Sequence, residues 1–336
     1  MKQNRNAYLD LFRFLLAFFV VCIHIYDDAH PNFPLFRLAV PMFFLISGYF
    51  SYTTKEDKAK RALISAGRTF RYLAFGFLFY AIFDFVMCYV KGNGVGYYFT
   101  TLFYENFIFE FVFQNKPIGY TGAQLWFLIA LFIVSLVHYL LVRFEKTKWY
   151  RIIVPCTFLI YFFFAGYMYL FQNTDMPIRY TRNAWFFGLP CFGLGYLLGG
   201  KNFHRKRWYK FVYLPLAVVF FFLQIWEHQL LETPNISLEM YTTGVISAVF
   251  FLLFFLGIEK SDCSFFYRWI GKNASFYIYI LHLAVMVVQQ MLYPIGEPFT
   301  RALVVFFSSF VLYESVFLLS KVVKPYLKKL KQDKNA

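Results

Sequence analysis

An arginine and a histidine eleven residues apart, Arg13 and His24, stand in an otherwise apolar stretch near the start of the chain. Eleven steps of about 100° return to within about 20° of the starting direction. On a helix the two therefore share a face, about 16 Å apart along the axis. Asp10 lies three residues before Arg13, on the same stripe and within reach of an ion pair. The stripe offers a fixed cation at one end and a titratable imidazole at the other, which suits group transfer. The arginine holds the anionic part of a donor, and a neutral histidine either takes the proton of a hydroxyl acceptor or receives the group itself. The plainer reading is a polar pair that only ties helices together.

Other positions join this shortlist. Arg68 and Arg71 are spaced i, i+3, so two guanidinium groups share one helix face and can clamp phosphates; the alternative is ordinary anchoring at a membrane surface. Ser47 and Gly48, in Phe43-Phe44-Leu45-Ile46-Ser47-Gly48-Tyr49, either let two helices approach closely or leave a small polar passage. Asp84, His138, His282 and Glu314 also fall inside apolar runs, where an ionisable side chain costs at least a few kcal/mol. For Asp84, His138 and Glu314 a structural pair inside a bundle is the favoured reading.

The elements that carry these residues follow from composition. Of 336 residues, 60% are apolar, 24% aromatic and 15% charged, whereas soluble domains carry about 25% charged residues. A soluble enzyme, a disordered chain and a disulfide scaffold are excluded, and an all-α polytopic membrane bundle is expected. Ten segments are apolar enough to span: roughly 8–27, 35–52, 70–90, 125–142, 152–171, 184–200, 211–227, 240–258, 273–293 and 301–320. The connections alternate in charge, with 26 of the 33 Lys and Arg residues in every second one. The positive-inside rule then puts both termini and those basic connections in the cytoplasm. The net charge of +15 is a topology signal rather than a nucleic-acid footprint. The five cysteines show no CxxC or Cys/His spacing, so neither a disulfide framework nor a metal site is expected; those in apolar runs read as small buried hydrophobes. The long segment 91–124 reads as an interfacial or re-entrant helix, or a lid. Residues 1–336 form a single membrane domain with a basic tail from about 321 and no soluble domain.

Taken together, these residues resemble the acyltransferase 3 family of polytopic bacterial membrane proteins. The likeness starts at Tyr8-Leu9-Asp10-Leu11-Phe12-Arg13 and Val21-Cys22-Ile23-His24, a basic residue followed after ten others by histidine. It continues through Arg37 to Phe50, the Arg68/Arg71 pair and Leu125-Trp126-Phe127-Leu128. Arg182-Asn183-Ala184-Trp185-Phe186-Phe187-Gly188-Leu189-Pro190 and Tyr277-Ile278-Tyr279-Ile280-Leu281-His282 complete it. The first two spans are also similar to the membrane half of vancomycin-resistance membrane-bound serine racemases, whose racemase half has no counterpart here. The resemblance implies a cytoplasmic acyl-CoA donor, commonly acetyl-CoA, and no metal. It implies transfer to a hydroxyl of an extracytoplasmic glycan, lipid-linked sugar or small molecule, in the lipid bilayer of a bacterial plasma membrane. His24 would be catalytic with Arg13; Arg13, Arg68 and Arg71 would hold the CoA phosphates. Ser47, Gly48, Arg182 and His282 would contact substrate, with Arg182 on the acceptor side. The rival readings are a transporter for a small solute such as L-serine and a component of polysaccharide export.

Overall fold

The computed structural model describes residues 6–26, 30–54, 57–92, 96, 98, 106–119, 121–167, 181–201, 208–231, 238–258 and 274–333. Among them the regular elements are all helical. Ten longer helices carry the chain: α1 Ala7–Ile23, α2 Ala39–Ser51, α3 Lys58–Val90, α4 Trp126–Arg143, α5 Tyr150–Tyr161, α6 Leu189–Gly199, α7 Tyr209–Leu231, α8 Thr242–Gly257, α9 Ala274–Leu292 and α10 Pro298–Asp333. One falls on each apolar segment expected from the sequence. Among the described residues, six helical stretches are long and apolar enough to cross a membrane: 33–51, 58–90, 123–143, 211–231, 274–292 and 298–321. The protein is a polytopic helical membrane bundle.

Exposed hydrocarbon identifies the lipid-facing shell. Leu78 and Ile82 on α3, Phe211 on α7 and Leu319 on α10 are each more than half exposed. A soluble monomer does not leave so much large apolar surface uncovered. The basic stretches 202–207 and 259–273, and most of 93–105 in the long connecting segment, lie outside the described residues.

The centre is built from α2, α4 and α6. Close approach decides the α2–α6 crossing. A Cβ on Gly195 would sit 2.1 Å from the Leu45 carbonyl oxygen, so only glycine fits there. On its other side α6 presents Gly193 to Tyr150 and Val154 of α5, where a Cβ would come within 2.7 Å of each. Small residues at helix crossings are how membrane bundles gain dispersion contacts without a hydrophobic driving force.

The expectation that the cysteines of apolar runs are buried holds for Cys22 and Cys191 but not for Cys88, which is half-buried, or Cys156, which is exposed. An apolar run in a membrane protein includes its lipid face, so hydrophobicity alone does not separate inside from outside.

Candidate functional site

The first helix ends earlier than its apolar run suggests. It stops at Ile23, and His24 is its C-terminal cap, with the His24 N–H still bonded back to the Val21 and Cys22 carbonyls. Asp27, Asp28, His30 and Pro31 follow at once in the sequence and offer no further apolar turn. His24 therefore sits at the end of α1 rather than within a continuing helix.

It meets His282 from the middle of α9, their ring centroids 5.2 Å apart and their planes 38° apart. His282 is fully buried. Its Nδ1 lies 3.1 Å from the Ile278 carbonyl oxygen one turn earlier. A carbonyl only accepts, so Nδ1 carries the proton and Nε2 is left with a bare lone pair. That Nε2 is buried and accepts no hydrogen bond among the described residues.

Beside the histidines lies an ion cluster assembled from three loop ends. Arg37 Nη1 is 2.5 Å from Glu239 Oε2, and Arg182 Nη1 is 3.4 Å from Glu239 Oε1. Arg37 and Glu239 are both buried. The Arg37 guanidinium also covers the Phe33 ring at 4.6 Å, and that of Arg182 covers the Trp126 ring at 5.4 Å. Each member sits just before a helix, at the entries to α2, α6 and α8. Helices α2, α6 and α8 thus all start at the same end of the bundle, where their polar entries meet. Arg37, Arg182 and His282 all act electrostatically on His24, which makes the cluster and the histidine pair one site.

A buried polar brace fixes the neighbouring backbone. Gln124 Nε2 donates to the Tyr80 hydroxyl at 2.6 Å and to the Ile280 carbonyl at 3.1 Å. The Tyr80 hydroxyl donates to the same carbonyl at 2.6 Å, and the Tyr279 hydroxyl donates to the Gln124 carbonyl. This ties α3, α4 and α9 together within one turn of His282. Asn115 adds a tie from the long connecting segment, accepting from the Ala184 N–H at 2.5 Å, while Asn183 caps the π-helical turn Ala184–Gly188 that leads into α6. The described part of that segment is thereby docked against the entry to α6.

The remaining candidates lie elsewhere. Arg13 pairs with Asp10 at 3.6 Å and is partly exposed. Between Arg13 and His24 the inward stripe of α1 is filled by buried Ala17 and Val20. Arg68 and Arg71 are both exposed on the basic first half of α3. Arg71 Nε approaches its own helix at the Gly67 carbonyl, 3.4 Å away, and the next residues, Tyr72 and Phe75, lean on Phe276 and Tyr277 at the start of α9. The arginines of α1 and α3 are thus brought to the end of the bundle opposite the histidines. Ser47 turns its hydroxyl back to the Phe43 carbonyl at 2.8 Å, and Gly48 lies against the backbone of Phe192. Two of the shortlisted buried groups have structural partners: Asp84 accepts from the Thr121 N–H at 3.2 Å, and His138 Nδ1 is 3.2 Å from the Tyr150 hydroxyl.

Of the residues singled out in the sequence, His24, His282 and Arg182 are brought together. Arg37, Glu239, Gln124, Trp126 and Tyr279 complete the site, though sequence reasoning gave none of them a role in it. One signal was present: Gln124 and Glu239 sit immediately before apolar segments, Arg182 two residues before one, and Arg37 at the start of one.

Fold and site define a multi-pass membrane protein in which a buried histidine, His282, meets a half-buried one, His24, beside an arginine–glutamate cluster. A family model described as an acyltransferase domain, Acyl_transf_3, matches residues 6–313. The chain belongs to this acyltransferase 3 family and is a membrane acyltransferase. No curated protein and no solved structure matches it.

Proposed function

We propose that the protein is an O-acyltransferase that moves an acyl group, acetyl in the simplest case, from cytoplasmic acyl-CoA to a hydroxyl on an extracytoplasmic glycan, lipid-linked sugar or small molecule. The observation that carries this reading is the His24–His282 pair, two imidazoles in ring contact inside a membrane bundle, His282 fully buried and His24 half-buried. Ionisable side chains in such places are expensive and are retained for chemistry. The alternating basic connections support ten spans with both termini in the cytoplasm of a bacterial plasma membrane. The arginine end then faces the cytoplasm and the histidine end faces outward.

In this reading Arg13, Arg68 and Arg71 hold the CoA phosphates, and the pantetheine arm brings the thioester toward His24. Neutral His24 takes the proton of the acceptor hydroxyl as the oxygen attacks the thioester carbon. The tetrahedral intermediate collapses with loss of the C–S bond, and the imidazolium returns its proton to the CoA sulfur. The products are an ester and free CoA thiol, with every proton accounted for. Arg182, held by Glu239 and Trp126, faces the acceptor. Ser47 and Gly48 shape the passage next to the site. Ala17 and Val20 fill the direct line along α1, so the arm reaches His24 either by parting α1 from its neighbours or by another route.

The test is acetyl-CoA binding and thiol release by purified protein in nanodiscs. Wild type should bind and turn over, Arg13→Ala should weaken binding, and His24→Ala should bind without turnover. Absence of binding at millimolar acetyl-CoA would sink the reading, and proteoliposome uptake of a small solute such as L-serine would then test the transporter alternative.

A further inference from the structure

We propose that His282 is a positioning residue for His24: a small turn of the two touching rings lets its bare Nε2 accept a hydrogen bond from one His24 ring nitrogen, which leaves the other nitrogen unprotonated toward the acceptor hydroxyl. This rests on the acyltransferase reading for its consequence, but not for its geometry.

Three observations lead to it. His282 has its tautomer set by its own helix, because Nδ1–H is committed to the Ile278 carbonyl. Its Nε2 is therefore an acceptor only, is buried, and has no donor among the described residues. The His282 ring is in contact with that of His24, at 5.2 Å between centroids; the two do not hydrogen-bond to each other as they stand, and no hydrogen bond among the described residues engages the His24 ring. A neutral imidazole has one N–H and one lone pair. If the N–H is given to His282, the lone pair is left for substrate.

The arrangement does for His24 what a carboxylate does for a catalytic histidine in hydrolases: it selects one tautomer and holds the ring. A neutral partner suits a membrane interior better than a carboxylate, since it carries no charge of its own to desolvate. When His24 takes the hydroxyl proton, both its nitrogens become donors and the bond to His282 becomes charge-assisted, so it strengthens as charge develops. The brace of Gln124, Tyr80 and Tyr279 on the same turns of α9 keeps His282 from turning away.

The test uses the full chain, labelled with ¹⁵N-histidine and reconstituted in nanodiscs, with His24 signals assigned by their loss in His24→Gln. Wild type should show His24 in a single tautomer with a through-hydrogen-bond coupling to His282 Nε2. His282→Phe should show a mixture of His24 tautomers. It should lower kcat by about 10²–10⁴-fold, with the KM for the donor changed by less than about threefold. In His282→Gln the amide N–H can bond to Ile278 and the amide oxygen can accept from His24. This variant should restore one tautomer and bring kcat to within about tenfold of wild type. A wild-type spectrum without the coupling, or an unchanged His24 tautomer in His282→Phe, overturns the proposal. The wild-type spectrum decides even if a variant fails to fold. Coupling without any thiol release would leave the positioning intact and defeat the acyltransferase reading; turnover without coupling would do the reverse.

Discussion

Gly48 of α2 and Phe192 of α6 touch through their backbones: a Cβ on Gly48 would lie 1.9 Å from the Phe192 carbonyl oxygen. With Gly195 against Leu45 one turn on, the crossing admits no larger residue on either helix. Gly48→Ala and Gly195→Ala should each destabilise the protein by about 1–3 kcal/mol through forced separation of the helices. Gly67, in α3, is the control. Nothing lies within 4 Å of a Cβ placed there, so Gly67→Ala should be neutral or stabilising by up to about 1 kcal/mol. Unfolding in detergent, followed by fluorescence, reads all three; equal losses at Gly48 and Gly67 would contradict the packing argument.

Glu239 holds two arginines at a buried position, and removing a single charge should be worse than removing a pair. Glu239→Gln should cost about 3–5 kcal/mol, as should Arg37→Met. The double variant Arg37→Met/Glu239→Gln should lose less than the sum of its singles. Thermal unfolding of the four proteins closes the cycle, and simple additivity would mean that the pair is not coupled.

Arg68 and Arg71 are exposed and make no ion pair among the described residues, so each is able to meet a phosphate. Arg68→Gln and Arg71→Gln should each weaken CoA binding about three- to tenfold, discounted for solvent screening. The difference should shrink between low and high salt. Titration calorimetry at two ionic strengths checks this; an affinity indifferent to both substitutions would reduce these residues to membrane anchors.

Glu297 caps the first turn of α10, outside the spans. The Thr300 hydroxyl, with the N–H groups of Thr300 and Phe299, bonds its carboxylate and holds its pKa below the ordinary value. A depressed folded-state value contributes stability that is present above the unfolded value and is lost as pH falls through the folded one. The melting temperature should therefore decline below about pH 4.5 less steeply in Glu297→Gln than in wild type. Identical pH profiles would show that the cap carries no linkage.

Much of this architecture is legible in the chain itself. Hydrophobic runs locate all ten longer helices, and the i, i+11 spacing of Arg13 and His24 survives as an inward stripe of α1, lined by buried Leu16, Ala17 and Val20. The site is legible only in part. His24 and His282 each stand out as imidazoles in apolar surroundings, but their contact joins the first helix to the ninth, and no local periodicity records that. The Arg37–Glu239 bond spans 202 residues and links two loop ends, where a single charged residue looks like any other loop residue. Helix α1 ends before its apolar run does, because capping, not hydrophobicity, sets that boundary.

Ala17 and Val20, packed between Arg13 and His24, also insulate. A strip of hydrocarbon along the α1 stripe carries no ions, so a charge moved along it would cross part of any voltage across the bilayer. Moving one elementary charge through the full potential involves about 2.3 kcal/mol per 100 mV. A neutral thioester arm and its acyl cargo experience none of that work, whereas the phosphates of a CoA would. In the proposed reaction the seam therefore sorts the donor by charge: its ionised half is stopped at the arginines, and only its uncharged reactive end is electrically free to reach the histidines.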